Sequence, residues 1–197
     1  GIRDVAPSRG LGDVYKRQAF PTLSALATTW NLDLAYQMGE ALADECKQQD
    51  VDVLLGPGTN IKRTPLCGRN FEYFSEDPYL SGKLASSYIQ GLEDHGIASC
   101  LKHFAANNQE FGRMSMSSDI DLRTLREIYF KPFEMAIKEA HPSTVMCAYN
   151  KLNGTYCSQN KWLLQDILRD TLNFEGIVIS DWWAVHDRAA ALLLSLI

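Results

Sequence analysis

The sequence predicts an α/β fold built from parallel βα units, and three observations support this prediction. Four short apolar runs start near positions 51, 97, 143 and 176, and such runs are typical of strands buried on both faces. Amphipathic helical patterns alternate with the runs. The length of 197 residues allows a sizeable core but falls short of the ~250 residues of a (β/α)8 barrel. The fold is therefore either an incomplete TIM-type (β/α)8 barrel or a doubly wound sheet.

Local signals mark the ends of each element. The predicted strands are 51–55, 97–101, 144–148 and 176–180. The four helices that alternate with them are expected to begin at capping side chains, which are, in chain order, Asp33, Asp77, Asp121 and Asn160. The first helix should end near Gln49 and the second at Gly96, while Pro132 should kink or split the third.

Composition argues against several classes of protein. The chain is 46% apolar with a net charge of −5, which is too apolar and too weakly charged for a disordered protein. A pI near 5.4 argues against a nucleic-acid partner, and no apolar run approaches the ~20 residues of a membrane span. Five cysteines without a CxxC pair predict reduced, buried thiols, and neither a metal nor a cofactor is expected. No signal peptide is visible, so the localisation stays open with the cytoplasm favoured.

Chemically active side chains follow the predicted strands. They are Arg69, in the long loop after the first strand, Lys102 and His103 after the second, Tyr149 after the third, and Asp181 and Trp182 after the fourth. Because ligands bind at the carboxyl ends of the strands in both predicted architectures, we expect these side chains to share one pocket. Cations, aromatic rings and a carboxylate suit a neutral, polyhydroxylated ligand. A nucleotide is disfavoured because no glycine-rich phosphate loop is present.

Several of these residues also have a purely structural interpretation. Asp181 is a candidate helix cap, and Lys102 with His103 is a candidate structural ion-pair group. Trp182 and Trp183 are adjacent and cannot share a face, so one of them is expected in the core.

Four segments, in this order, resemble the barrel domain of glycoside hydrolase family 3 in its β-glucosidase branch. They are GPGTNIKRTPLCGRNFEYFSEDPYLSGKLASSYIQGL (56–92), LKHFAANNQE (101–110), MCAYNKLNG (146–154) and GIVISDWWAVHD (176–187). The resemblance runs from about Ala19 to Arg188 and implies a partial barrel domain in residues 19–197, without its N-terminal start and its last strand. Residues 1–18 match the family poorly, which a scrambled join within 4–18 would explain.

The resemblance implies a retaining exo-β-glycosidase that releases terminal glucose from a β-glucoside or oligosaccharide through a covalent intermediate. Asp181 matches the family nucleophile, and the neighbouring cations are expected to lower its pKa. The positions that match sugar-binding residues are Arg69, Lys102, His103, Arg113, Tyr149 and Trp182. The second carboxyl group is a glutamate on a following domain in this branch of the family. The chain alone is therefore expected to be inactive.

Two other classes of function stay open at this point. A barrel lyase or aldolase would use Lys102 to form a Schiff base, but it would leave the Asp-Trp motif unexplained. A non-catalytic sugar-binding relative is disfavoured by the presence of Asp181.

Overall fold

A computed structural model describes residues 11–12 and 20–193 of the chain. The strands in these ranges are β1 Leu11–Gly12, β2 Val53–Leu54, β3 Ala98–Phe104, β4 Ser117–Ser118, β5 Thr144–Cys147, β6 Lys151–Leu152, β7 Thr155–Tyr156 and β8 Ile177–Ser180. Five of them form a parallel sheet in the order β1-β2-β3-β5-β8, which is also their order in the chain. A doubly wound sheet would reverse this order at one point. The unreversed order therefore identifies the barrel type among the two predicted architectures.

Helices alternate with the strands of this sheet. They are α1 Leu23–Ala27, α2 Leu32–Gln48, α3 Pro78–Glu93, α4 Leu122–Thr124, α5 Lys131–Ala140 and α6 Arg188–Leu193, with π-helical segments at Leu125–Tyr129 and Trp162–Thr171. Short 3-10 turns span Asn70–Glu72 and Cys157–Gln159. No helix within residues 20–193 has the length and apolar character needed to cross a membrane.

The two faces of the parallel sheet pack differently. Leu101, Val145 and Val178 belong to the large core shared with the helices. Their neighbours Cys100 and Met146 form a small separate cluster with Leu55, on the opposite face. Since side chains alternate between faces along a strand, Lys102 and Asp181 continue this second face beyond Cys100 and Ile179. The inner face of the sheet therefore leads directly to the polar residues at the strand ends.

A small three-stranded sheet lies over the carboxyl ends of β3 and β5. β4 pairs parallel to β6, and β6 pairs antiparallel to β7. β4 follows the loop that leaves β3, while β6 and β7 form a hairpin after β5. This sheet joins the two loops, so neither extends alone into solvent.

The four predicted strands and helices are observed, with differences at their ends. Side chains of Asp121 and Asn160 accept backbone N–H groups as predicted caps, and Pro132 lies in the first turn of α5, after the third helix has split. The prediction of Asp33 as a cap is wrong. The side chain of Asn31 accepts the N–H of Leu34, and the helix begins at Leu32. The five cysteines are free and buried, as predicted.

No strand or helix is predicted for residues 4–18, yet the structure places one short strand there. Leu11 and Gly12 pair in parallel with Val53 and Leu54 and add a strand to the sheet. The other residues of 1–18 lie outside the described part of the chain.

Two glycines bring α2 and α3 into close contact. A Cβ atom on Gly39 would lie 2.3 Å from the carbonyl oxygen of Tyr88, and one on Gly91 would lie 2.2 Å from that of Tyr36. These distances are far below van der Waals contact, so the helices cross at a point that only glycine allows.

We predict that Gly39→Ala destabilises the chain by at least about 2 kcal/mol, because the added methyl group meets backbone atoms that cannot move independently. Thermal or urea unfolding measures the change. Gly68→Ala is the control, since its Cβ would make only an ordinary 3.8 Å contact with the Glu110 side chain. Equal stability of Gly39→Ala and the parent chain would contradict the proposed crossing.

Candidate active site

A cavity of about 640 Å³ is lined by loops at the carboxyl end of the sheet and by residues of α1, α2 and α3. This volume lies within the range of small-molecule sites. All seven residues predicted for the site line the cavity: Arg69, Lys102, His103, Arg113, Tyr149, Asp181 and Trp182. The structure therefore brings together side chains that are up to 113 residues apart in the sequence, between positions 69 and 182.

The carboxyl group of Asp181 is buried with one oxygen unpaired. Its Oδ1 accepts the backbone N–H of Trp182 at 2.8 Å. Its Oδ2 makes no hydrogen bond of normal geometry with a described residue, although it lies 3.5 Å from Nε2 of His103 and 4.0 Å from Nη1 of Arg69. The Tyr149 hydroxyl interacts with the same carboxyl group. An unpaired buried carboxylate oxygen is costly. Oδ2 is therefore the atom of this group that is available to a ligand.

Burial raises the pKa of Asp181 above its ordinary value of 3.8. The hydrogen bonds from the Trp182 N–H and the Tyr149 hydroxyl and the charges of Arg69 and Lys102 lower this pKa, but by less than burial raises it. The cations therefore act in the predicted direction, and burial of the carboxyl group outweighs them.

Glu72 is a buried carboxylate that joins two of the predicted cations. Its Oε1 pairs with Nε of Arg69, and its Oε2 pairs with Nζ of Lys102. Burial alone would raise the pKa of Glu72, but the charges of Lys102 and Arg69 bring it below its ordinary value of 4.5. Glu72 is therefore ionised, and it determines where both cations lie relative to Asp181.

His103 is neutral in this site. Burial lowers its pKa well below the ordinary value, and the nearby charges of Arg69 and Lys102 lower it further. Nε2 accepts from Nη2 of Arg69 at 2.7 Å, which leaves the proton on Nδ1 to donate to the hydroxyl of Tyr73 at 3.1 Å. Two hydrogen bonds between the Asn60 amide and the His103 backbone, of 2.7 and 2.9 Å, hold the strand end in place.

Arg113 covers one aromatic wall of the cavity. Its guanidinium lies 4.5 Å from the centre of the Tyr149 ring, and its Nη1 pairs with Oε2 of Glu110 at 2.5 Å. Burial raises the pKa of Tyr149, and the nearby Asp181 raises it further. The Tyr149 hydroxyl therefore keeps its proton beside the Asp181 carboxylate.

The two adjacent tryptophans both lie at the cavity mouth. Trp182 is 58% exposed and Trp183 is 84% exposed, so the prediction that one of them lies in the core is wrong. The chain turns at these residues, with the N–H of Ala184 donating to the carbonyl of Asp181 at 3.1 Å. The structural interpretation of Asp181 as a helix cap is also wrong, since Asp187 caps the next helix.

Sequence reasoning missed one residue of the site, Glu72, which lines the cavity. Glu110 pairs with Arg113 next to the cavity. The Arg-x-x-Glu and Glu-x-x-Arg spacings of 69–72 and 110–113 are a sequence signal compatible with both ion pairs.

The chemistry available at the site follows from these contacts. An unpaired carboxylate oxygen can attack or bind a ligand, while cationic and hydroxyl donors can bind hydroxyl groups around it. Within residues 20–193, no group of three or more His, Cys, Asp or Glu side chains is placed to bind a metal ion.

Comparison with known proteins identifies relatives of high similarity. Residues 5–192 match the Glycosyl hydrolase family 3 N terminal domain. The chain is 57% identical over 190 residues to the thermostable beta-glucosidase B of Acetivibrio thermocellus, covering 96% of this chain and 25% of the relative. It is 52% identical over 196 residues to an exo-alpha-(1->6)-L-arabinopyranosidase of Bifidobacterium breve, covering 98% of this chain and 26% of that relative.

The structure also matches solved structures. Beta-glucosidase 3B from Thermotoga neapolitana in complex with alpha-D-glucose superimposes with a TM-score of 0.88 at 51% identity, over 89% of this chain and 25% of that one. A beta-glucosidase from Kluyveromyces marxianus in complex with glucose gives a TM-score of 0.88 at 47% identity, over 90% of this chain and 21% of that one. The chain thus spans about a quarter of the length of the relatives that it matches.

We predict that Glu72→Gln destabilises the chain by about 3 kcal/mol near neutral pH, because it leaves two buried cations without a charged partner. The loss should be full above the ordinary Glu pKa of 4.5, where Glu72 is ionised in the folded and the unfolded parent chain. It should fade as the pH falls from that value through the lower pKa of folded Glu72, because the unfolded chain takes up the proton first. Thermal unfolding at several pH values measures both effects.

The matched control is Glu127→Gln. Glu127 pairs with Arg123 on the surface, where both side chains are more than half exposed, so its loss should cost less than about 1 kcal/mol. Equal destabilisation by the two substitutions would show that Glu72 is not a buried bridge between cations.

Proposed function

Since the chain belongs to glycosyl hydrolase family 3, we propose that it forms the sugar-binding and nucleophile-bearing part of a retaining exo-β-glycosidase that acts on β-glucosides. The single observation that carries this proposal is the unpaired Oδ2 of buried Asp181, which lies in a cavity lined by cationic and aromatic side chains. The beta-glucosidase names of several relatives support glucose as the terminal sugar.

In the first proposed step, Oδ2 of Asp181 forms a bond to the anomeric carbon of the terminal sugar. The bond between that carbon and the oxygen of the leaving group breaks, and a general acid gives that oxygen a proton. In the second step, water gives its proton to the same group, attacks the anomeric carbon and releases Asp181. Arg69 and Lys102 partly offset the negative charge of the Asp181 carboxylate before the first step and after the second.

The other site residues bind the sugar ring in this proposal. Lys102, Arg69 and Arg113 donate hydrogen bonds to hydroxyl groups, and each such bond to a charged group contributes about 1.5–3 kcal/mol. His103 is neutral, and its Nε2 accepts from Nη2 of Arg69, so in this proposal His103 holds the Arg69 guanidinium in place beside the sugar. The exposed face of Trp182 covers the apolar face of the ring.

We place the proton donor outside the part of the chain that the structure describes. Glu72 and Glu110 are the carboxylates described near Asp181, and each is already paired with an arginine or lysine. Glu72 is also kept ionised by its partners. The chain alone should therefore turn over substrates with poor leaving groups slowly, because general acid assistance contributes about 10²–10⁴-fold.

The lyase or aldolase alternative is less compatible with these contacts. A Schiff base needs an unprotonated amine, whereas Nζ of Lys102 is buried in an ion pair with Glu72 at 3.0 Å.

The identity of the terminal sugar needs a separate test, because one relative is named an arabinopyranosidase. Aryl β-glucosides and aryl α-L-arabinopyranosides, compared as substrates, distinguish these two sugars.

The proposal predicts that a dinitrophenyl 2-deoxy-2-fluoro-β-glucoside labels Asp181. The dinitrophenolate leaves without a proton donor, so the reaction is suited to the chain itself as well as to a full-length protein that carries it. Mass spectrometry should show one added fluoroglucosyl group, on the peptide that contains Asp181.

Asp181→Asn should abolish the labelling and Glu127→Gln should leave it intact, since Glu127 lies on the surface. In the full-length protein, Asp181→Ala should lose about 10⁴-fold or more in kcat. Labelling of another residue, or of the Asp181→Asn variant, would overturn the proposal.

A further inference from the structure

Trp183 occupies a backbone position that a tryptophan side chain disfavours. It is the third residue of the four-residue turn that the Ala184 N–H closes onto the Asp181 carbonyl, and its φ is 57°. Turns with positive φ at the third position normally place glycine or asparagine there. For a bulky L-residue the left-handed conformation is strained.

Trp183 is little buried in the described fold, so burial of its side chain does not offset the backbone strain. The residue is 84% exposed, although indole is among the largest apolar side chains. Its ring centre lies 6.2 Å from that of Trp182, with 46° between the planes, and both residues line the cavity that contains Asp181. The position of Trp183 thus matches a role at the cavity mouth better than a role in the core.

The turn that presents Trp183 is held in place by the β6–β7 hairpin and by the 3-10 turn Cys157–Gln159 that follows it. The hydroxyl of Ser158 donates to the carbonyl of Ala184 at 2.7 Å. Two residues further on, the ring of His186 stacks on Tyr156, with centres 4.0 Å apart and 30° between the planes. The Tyr156 hydroxyl also donates to the carbonyl of Met114 at 3.2 Å, which ties this hairpin to the loop that carries Arg113. The backbone of Trp183 is therefore positioned before any ligand binds.

We propose that Trp183 is a specificity-determining residue that binds the leaving group of the substrate through a flat apolar ring face. This inference rests on the proposed function, in which Asp181 and Trp182 contact the terminal sugar and the leaving group points towards the cavity mouth. The ring is either aromatic or the apolar face of a second sugar, and a leaving group as small as methyl is too short to cover the indole. The substrate class is therefore β-glucosides with ring-bearing leaving groups.

Binding of non-hydrolysable thioglucosides tests this inference without catalysis. The full-length protein and its Trp183→Gly variant are titrated by calorimetry with phenyl, glucosyl and methyl 1-thio-β-glucosides. The parent should bind the phenyl and glucosyl ligands about 10-fold more tightly than the methyl ligand, as one aromatic contact can provide. Trp183→Gly should lose most of that preference with methyl binding unchanged, and Trp183→Phe should restore it for the phenyl ligand.

Trp30→Gly is the matched control. Trp30 is also exposed, at 74%, and also has a positive φ of 55°, but it does not line the cavity. Its replacement by glycine relieves the same kind of strain and should leave all three affinities unchanged.

Three results would overturn the inference: no preference of the parent for ring-bearing ligands, the same loss for all three ligands in Trp183→Gly, or the same change in Trp30→Gly. If only one of the two ring-bearing ligands shows the effect, the result identifies the leaving group as aromatic or as a sugar. Hydrolysis of aryl β-glucosides by the parent is measured in parallel. A Trp183-dependent preference without hydrolysis would refute the proposed function and leave Trp183 as a residue that binds ring-bearing β-glucosides. Hydrolysis without the preference would refute the inference and retain the proposed function.

Discussion

Burial of the Asp181 carboxyl group, beside two cations that also pair with Glu72, is the constraint on which the site depends. Lys102 and Arg69 lie close enough to stabilise an ionised Asp181, but both also pair with Glu72. Burial of the carboxyl group outweighs these cations, and the pKa of Asp181 is raised above its ordinary value. In the proposed reaction, a carboxylate that is costly to keep ionised is a reactive nucleophile. Its charge is lost when the bond to the sugar forms, so the attack relieves the cost of burial.

The fold brings this cluster together by two simple means. Alternation of side chains along the strands places Lys102 and Asp181 on the inner face of the sheet, beyond the small apolar cluster of Leu55, Cys100 and Met146. The parallel arrangement then aligns the carboxyl ends of β3, β5 and β8 at one edge. Loop residues such as Arg69 complete the site, and the hairpin of β6 and β7 holds the loop after β8 in position.

The sequence predicts this placement well because it depends on local patterns. Apolar runs mark the strands, and the residues directly after them, such as Lys102 and Asp181, must meet at the sheet edge. The pKa of Asp181 could not be predicted in the same way, since it depends on burial and on a partner, Glu72, that approaches Lys102 only in the folded chain.

The errors at Asp33 and at the tryptophan pair have a similar origin. Asn31 and Asp33 are both good capping residues, and only the backbone conformation at Asn31 decides between them. Trp182 and Trp183 are exposed because the chain turns there, and large apolar side chains do not predict a turn.

The pKa of Asp181 tests the central claim most directly, when it is measured by ¹³C NMR of the carboxyl carbon in the parent chain and in Glu72→Gln. The account predicts a pKa above 3.8 in the parent. It predicts a lower pKa in Glu72→Gln, because the charges of Arg69 and Lys102 are then no longer shared. A parent pKa below 3.8, or a pKa that Glu72→Gln leaves unchanged or raises, would contradict it.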